Sequence, residues 1–178
     1  IIADATAASS PHGFAWYAGD PKDYGRLLGG KRINKAEAVG GQVEIHAEDM
    51  RILLTDGVNM RYLPKRKQPP KKHQLYLEFD DETGLVCTVQ MYGGIWAYPA
   101  GSNDNFYYKV AVEKPNPLTD AFDKAYFDAI VADAGNKLSA KGLLATEQRI
   151  PGLGNGCSQD ILFRARINPQ SKVVLLTE

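Results

Sequence analysis

The sequence predicts an α+β protein, with an N-terminal antiparallel β-sandwich over residues 1–113 and a helical domain over residues 114–178. Three observations carry this. Up to Glu113, short runs of alternating apolar and polar residues are cut by Gly, Asp and Pro turns, the rhythm of strands. At Glu113-Lys114-Pro115-Asn116-Pro117-Leu118, two prolines and a loss of periodicity mark a boundary. After it, Phe122, Tyr126, Phe127 and Ile130 recur at helical spacing.

Taken in order, residues 1–8 read as a strand and Ser9-Ser10-Pro11-His12-Gly13 as a loop. Asp20-Pro21-Lys22-Asp23 is a helix start, a cap followed by Pro at the first helical position. Tyr24, Leu27 and Leu28 form its apolar stripe, and Gly29-Gly30 ends it. Lys31–Val39, Val43–Ala47, Met50–Thr55 and Val58–Leu63 follow as strands of a meandering sheet, with turns at Gly40-Gly41, Glu48-Asp49 and Asp56-Gly57. His73–Phe79 alternates cleanly. Leu85–Met91 and Ile95–Tyr98 read as a further strand pair around Gly93-Gly94, and Tyr107–Val112 as a last extended piece. Thr119–Phe122 opens a helix that Gly135-Asn136 closes.

Between the strands, Pro64–Lys72 holds five cations and three prolines in nine residues. The prolines forbid a central strand, so this is an exposed loop, either solubilising or a contact for a polyanion backbone. Overall charge does not decide between these: 21 basic and 21 acidic side chains give a net charge of zero, so an anion-binding face requires local segregation. No apolar run approaches the roughly 18 residues of a membrane-spanning helix, and no secretory signal is visible. Cys87 and Cys157 form neither a disulfide framework nor a zinc motif, which suits a reducing compartment. Both ends read as interior sequence, so the chain is expected to be a piece of a longer protein.

The most informative stretch is Ser139–Arg166, a helix, a glycine turn and a second helix. Ser139 caps the first helix, and Leu143, Leu144, Ile150 and Leu153 give an apolar side. The turn Pro151-Gly152-Leu153-Gly154-Asn155-Gly156 leads into a helix that starts near Asn155, carries Ile161, Leu162 and Phe163 inward and packs Cys157. Unblocked N–H groups at that start form an anion site suited to a phosphate. Glycine spacing alone favours an ordinary helical hairpin.

Lys141, Gln148-Arg149, Gly152-Leu153-Gly154-Asn155 and Leu162-Phe163-Arg164-Ala165-Arg166-Ile167-Asn168-Pro169 closely resemble the helix–two-turns–helix segment of the formamidopyrimidine-DNA glycosylase and endonuclease VIII family. Weaker similarity in Leu27–Ile33, Pro69–His73 and Glu113–Leu118 extends it over nearly the whole chain. The resemblance implies base-excision repair, with a β-sandwich joined to a helical domain and DNA in the cleft between. It implies DNA glycosylase and abasic-site lyase activity on double-stranded DNA carrying a damaged base or abasic site. In that chemistry an N-terminal secondary amine attacks the sugar C1′ of a flipped nucleotide, forms a Schiff base, and is helped by a glutamate and a hairpin lysine. The DNA-binding residues it implies are Lys141, Gly154, Asn155 and Gly156, joined by Lys65, Arg66 and Lys67 of the basic loop.

The chain departs from the family pattern at its catalytic positions. The Pro-Glu start is absent, Gly40-Gly41 occupies the hairpin-lysine region, and Val58 and Tyr92-Gly93 stand where Met and Arg-Phe insert into DNA. No catalytic residue, metal ligand or cofactor is therefore expected within this chain, and a zinc finger would lie beyond Glu178. The alternatives are a catalytically inactive relative that reads damaged or distorted duplex and, more distantly, an RNA-binding protein. A monomer in the bacterial cytosol or nucleoid, without a membrane partner, is expected. Gln90, Tyr92 and Trp96 are candidates for the DNA cleft. His12, His46 and His73 are expected to be structural, Glu44 and Glu48 a solvated strand face and turn, and Asp80-Asp81-Glu82 an exposed turn.

Overall fold

The computed structural model describes residues 1–176; Thr177 and Glu178, the end of the expected second domain, lie outside them. The chain groups into two compact units, one of residues 1–38 and 42–103, the other of residues 39–41 and 104–178. The class is α+β, as expected.

The first unit is a sandwich of two sheets. Its strands are β1 (Ile2–Ala7), β2 (Ala15–Tyr17), β3 (Ile33–Val39), β4 (Gln42–Ala47), β5 (Met50–Leu54), β6 (Val58–Leu63), β7 (Leu75–Phe79), β8 (Gly84–Val89) and β9 (Gly93–Pro99). One sheet runs β1-β7-β8-β6 and the other β2-β9-β5-β4-β3. Ile2, Leu75, Leu77 and Cys87 from the first sheet meet Ile45, Ile52, Leu54 and Ile95 from the second, which is the face-to-face burial that defines a sandwich.

The expected meander is corrected here. β6 leaves the sheet that holds β5, and β8 and β9 lie in different sheets rather than as one hairpin. The cause lies at the corners. Gly57 sits at φ +89°, and a Cβ there would stand 2.0 Å from the Tyr92 carbonyl oxygen, so only glycine allows the chain to turn between sheets. Thr55 then fastens β9 beside β5: its N–H donates to Gly94 O at 3.0 Å, and its hydroxyl accepts from Gly94 N at 2.7 Å.

A single-turn 3₁₀ segment, Pro21–Asp23, runs into α1 (Tyr24–Leu28), and Asp20 caps its start by accepting from Lys22 N at 2.9 Å. Tyr24 is fully buried. Its hydroxyl accepts from Ala18 N at 3.1 Å and Ala97 N at 3.0 Å, and donates to Ile95 O at 2.9 Å. One donor and two lone pairs are thereby all used, tying α1 to β9. His73 is structural as expected, bonded to Ser9 Oγ at 2.9 Å and to Pro70 O at 2.8 Å.

The second unit holds α2 (Phe106–Glu113), α3 (Lys124–Ala134), α4 (Ala140–Ala145) and α5 (Asn155–Arg164). The extended piece expected at Tyr107–Val112 is a helix. Asn105 accepts from the N–H groups of Tyr107 and Tyr108, satisfying two first-turn donors and outweighing the strand-like Tyr and Val content. Asp123 and Ser139 cap α3 and α4 in the same way. Ala140, Leu144, Ile150 and Leu162 form the core, with Phe122, Phe127 and Ile130 packed on it. Of the three residues expected to point inward from α5 only Leu162 is buried; Phe163 is 83% exposed and Ile161 46%. Both flank Leu162 in sequence and so fall roughly 100° away on the helix. Among the described residues no helix is long and apolar enough to cross a membrane.

Replacing Tyr24 by Phe should cost about 1–3 kcal/mol, because it strands the buried amide of Ala97; chemical denaturation measures this. Burial also pushes the Tyr24 pKa up to about 12 from the usual 10. The unfolded chain therefore ionises first, and stability should fall as pH rises from 10 towards 12, with a smaller fall in Tyr24→Phe.

Candidate nucleic-acid interface

The second helical pair is joined by a turn that its own backbone disfavours. Glu147 and Gln148 both hold positive φ, +54° and +45°, and Gly152 sits at +80°. Non-glycine residues in that region cost roughly 1–3 kcal/mol each unless the surroundings over-determine them. Here Arg149 does so. Its guanidinium donates to Thr146 O at 3.1 Å, Thr146 Oγ1 at 2.8 Å and Glu147 Oε2 at 2.6 Å. Lys114 Nζ donates to the Gln148 carbonyl at 3.4 Å. Gly152 lies directly against the hairpin tip of the same unit: a Cβ on it would stand 2.9 Å from Gly40 C and 3.0 Å from Gly40 O.

The turn delivers the chain into α5 with its first amides uncovered. Gly154 is the cap residue and offers no side-chain acceptor. The N–H groups of Asn155, Gly156 and Cys157 precede the first intrahelical bond, Ser158 N to Gly154 O at 3.0 Å. Added Cβ atoms at Gly154 and Gly156 would meet nothing within 4 Å. Ser158, buried, donates from Oγ to Gly154 O at 2.9 Å and fixes the cap. Three backbone N–H donors at the start of α5 thus have no intrahelical acceptor, and nothing stands within 4 Å of a Cβ added at Gly154 or Gly156. Lys141 is exposed in the first turn of α4, and Gly154, Asn155 and Gly156 are all exposed. Cys157 is exposed too, against the expectation that it packs; Ser158 occupies the buried position beside it.

Lys65, Arg66 and Lys67 belong to the first unit and are exposed at the loop between β6 and β7. The sequence did not reveal their neighbours. Arg66 at φ +61° donates its N–H to Glu82 O at 3.3 Å, and its Nε lies 3.5 Å from Glu82 Oε2. The Asp81 carboxyl is held below the usual range, chiefly by hydrogen bonds from Thr83, with Lys65 contributing. The basic loop is therefore partly neutralised by the exposed acidic turn at 80–82. Lys72 and Arg61 share a shallow cavity of about 440 Å³ with Asn59 and Pro70, which extends the cationic surface beyond the three residues singled out.

Two further sequence readings change. Glu44 is buried at 4% exposure rather than solvated; Glu48 is exposed in its turn as expected. Cys87 is buried, its thiol pushed up to about 12 by desolvation, so it is unreactive. Where the resemblance looks for a hairpin lysine, Gly40 holds φ +59°, and a Cβ there would stand 3.0 Å from Ala111 Cβ.

No family model matches the chain. Its sequence is 27% identical over 152 residues to a formamidopyrimidine-DNA glycosylase of Wolbachia pipientis subsp. Culex pipiens (strain wPip), covering 83% of this chain and 54% of that protein. It is 26% identical over 161 residues to the glycosylase of the same name from Legionella pneumophila (strain Paris), covering 88% and 57%. The chain thus spans about half the length of the curated relatives it matches. Its fold superposes on the solved complex between the Lactococcus lactis Fpg and an abasic site containing DNA, with a TM-score of 0.78 at 20% identity over 99% of this chain and 64% of that one. MutM in complex with carbocyclic 8-oxo-G containing DNA gives 0.70 at 21% identity, over 86% and 59%. Over most of its length, the chain is similar in sequence to formamidopyrimidine-DNA glycosylases and shares the fold of their solved structures.

Proposed function

We propose that this chain is the DNA-binding body of a base-excision repair protein, and that the parent protein is a bifunctional DNA glycosylase and abasic-site lyase. The observation that carries the reading is the start of α5: three uncovered backbone amides after an unblocked glycine cap, in the segment whose sequence most resembles the glycosylases. A phosphate of a DNA backbone is the guest that fits, since it accepts several N–H bonds at once and is favoured by the helix dipole. Asn155 adds a neutral donor and Lys141 a point charge, so contact there positions DNA without reading bases. Lys65, Arg66 and Lys67 supply a second, sequence-independent backbone contact from the sandwich unit.

In this reading the partner is double-stranded DNA with a damaged base or an abasic site, and the protein acts as a monomer in the bacterial cytosol or nucleoid. Gly40 cannot stand in for a hairpin lysine, because it has no side chain and its backbone conformation disfavours one. In this reading the chain grips and orients DNA.

Borohydride trapping of the full gene product on duplex DNA with one abasic site tests the reaction. A covalent protein–DNA adduct is expected; binding at low salt without any adduct would sink the lyase reading. Asn155→Ala and Lys141→Ala should each weaken binding to every duplex alike, lesion or not. Unchanged affinity in both would remove the α5 site from the interface. Neutralising Lys65, Arg66 and Lys67 together should flatten the salt dependence of binding by about one unit of slope per lost phosphate contact. Arg66 should contribute least, since Glu82 already engages it. A slope that stays put would mean that the loop is solubilising only.

A further inference from the structure

The face of the first sheet away from the core carries a cavity shared by β6, β8 and the 64–72 loop. Cys87 and Val89 of β8 join the core, so alternation puts Val86 and Thr88 on the opposite face. The register sets Arg61 across from Val86 and Asn59 across from Thr88, which brings all four side chains to that face. Pro70 and Lys72, at the end of the loop, complete the lining of a space of about 440 Å³.

Two observations point to an anion in it. First, its polar side chains are unsatisfied. Among the described residues, those of Asn59, Arg61, Lys72 and Thr88 make no hydrogen bond or ion pair with another group. Second, its charge is uncompensated. The lining holds two cations and no carboxylate. The neighbouring cations differ, since Arg66 is engaged by Glu82, and Lys65 helps to hold the Asp81 carboxyl below the usual range.

The donor set and the volume narrow the guest. An arginine fork grips a phosphate through two parallel N–H bonds, and a lysine adds a point charge. Thr88 and Asn59 are neutral donors of the kind that contact phosphate oxygens along a nucleic-acid strand. A bare phosphate would leave most of the cavity empty, being about two or three times the roughly 30 Å³ of a water. A phosphate with its flanking sugars fills it, and lays apolar sugar carbons on Pro70 and on Val86, which is buried at the base.

We propose that Asn59, Arg61, Lys72 and Thr88 seat one phosphodiester of a DNA strand. The site rests on the DNA-binding reading above. It adds to the contact from the sandwich unit a seat of fixed geometry, which the exposed side chains of Lys65 and Lys67 do not provide.

The test is fluorescence anisotropy of the full gene product on a duplex with one abasic site, over a series of salt concentrations. Arg61→Gln with Lys72→Gln should weaken binding about tenfold or more, and flatten the salt dependence by about one unit of slope for the phosphate lost. Thr88→Val changes no charge, so it should weaken binding about threefold with the slope unchanged. Lys22→Gln, at an exposed cation elsewhere in the unit, serves as the control. A double-variant loss no larger than that of the control would overturn the seat and leave Arg61 and Lys72 as ordinary surface charges. Tight binding of inorganic phosphate, lost in Arg61→Gln, would overturn the strand assignment and make this a site for free phosphate. Full affinity in the double variant beside weakened binding in Asn155→Ala would sink this site alone. A wild-type protein that binds no duplex at low salt would sink the DNA-binding reading itself, and this site with it.

Discussion

Gly40 and Gly152 meet backbone to backbone, and the helical unit is arranged around that approach. Neither position has room for a side chain, and both hold positive φ, so each depends on glycine twice over. The turn from α4 to α5 is then determined at both ends. Arg149 clamps its first half, where Glu147 and Gln148 sit in a costly conformation, and Gly152 anchors its second half. The consequence is a helix start that has been stripped of ordinary capping. Elsewhere in the unit Asn105, Asp123 and Ser139 each satisfy first-turn amides with a side chain. At α5 a bare glycine takes that place, and the unmet donors become available to a ligand.

In the sandwich unit, backbone satisfaction plays the comparable part. The chain changes sheets between β5 and β6 and again between β8 and β9, and each crossing would leave strand edges unpaired if nothing closed them. Thr55 closes one by bonding Gly94 through both its amide and its hydroxyl. Tyr24 closes another, its hydroxyl reaching both the amide of Ala97 and the carbonyl of Ile95. Two small polar groups thus hold a topology that hydrophobic burial alone would tolerate in other arrangements, since burial is non-directional.

Charge follows the same logic of local pairing. A chain with zero net charge binds a polyanion only where cations outrun nearby anions. In the 64–72 loop Arg66 and Lys65 are partly countered by Glu82 and Asp81, distant in sequence but adjacent in space. At α5 the positive potential comes from the backbone and needs no net charge at all. Glu37, Glu44 and His46 show the inverse case, in which anions gather around a group that is neutral unless protonated.

Much of the fold was legible in the sequence because its signals are short-range. Strand alternation in Leu75–Phe79, the Asp20-Pro21 helix start, the Ser139 cap and the glycine turn before Asn155 each depend on neighbours within a few residues, and each forms as read, although the strand begins two residues later than His73. Expectation and structure part where the deciding contact lies further off or outside the pattern. Tyr107–Val112 has strand-like composition, and the Asn105 cap decided for a helix. The sheet to which β6 and β9 belong is settled by contacts between residues some forty positions apart. Cys157 and Phe163 carry apolar character that implies burial, yet they fall on the outer side of α5 once Leu162 and Ser158 point inward. The sequence by itself therefore determined the elements, the break in class and the amide-bearing turn. Only the tertiary structure decided which strands share a sheet, which charges partly neutralise the basic loop, and that Glu37, Glu44 and His46 meet. Local conformation is set by near neighbours, whereas pairing and burial are set by residues that meet only after the chain has closed on itself.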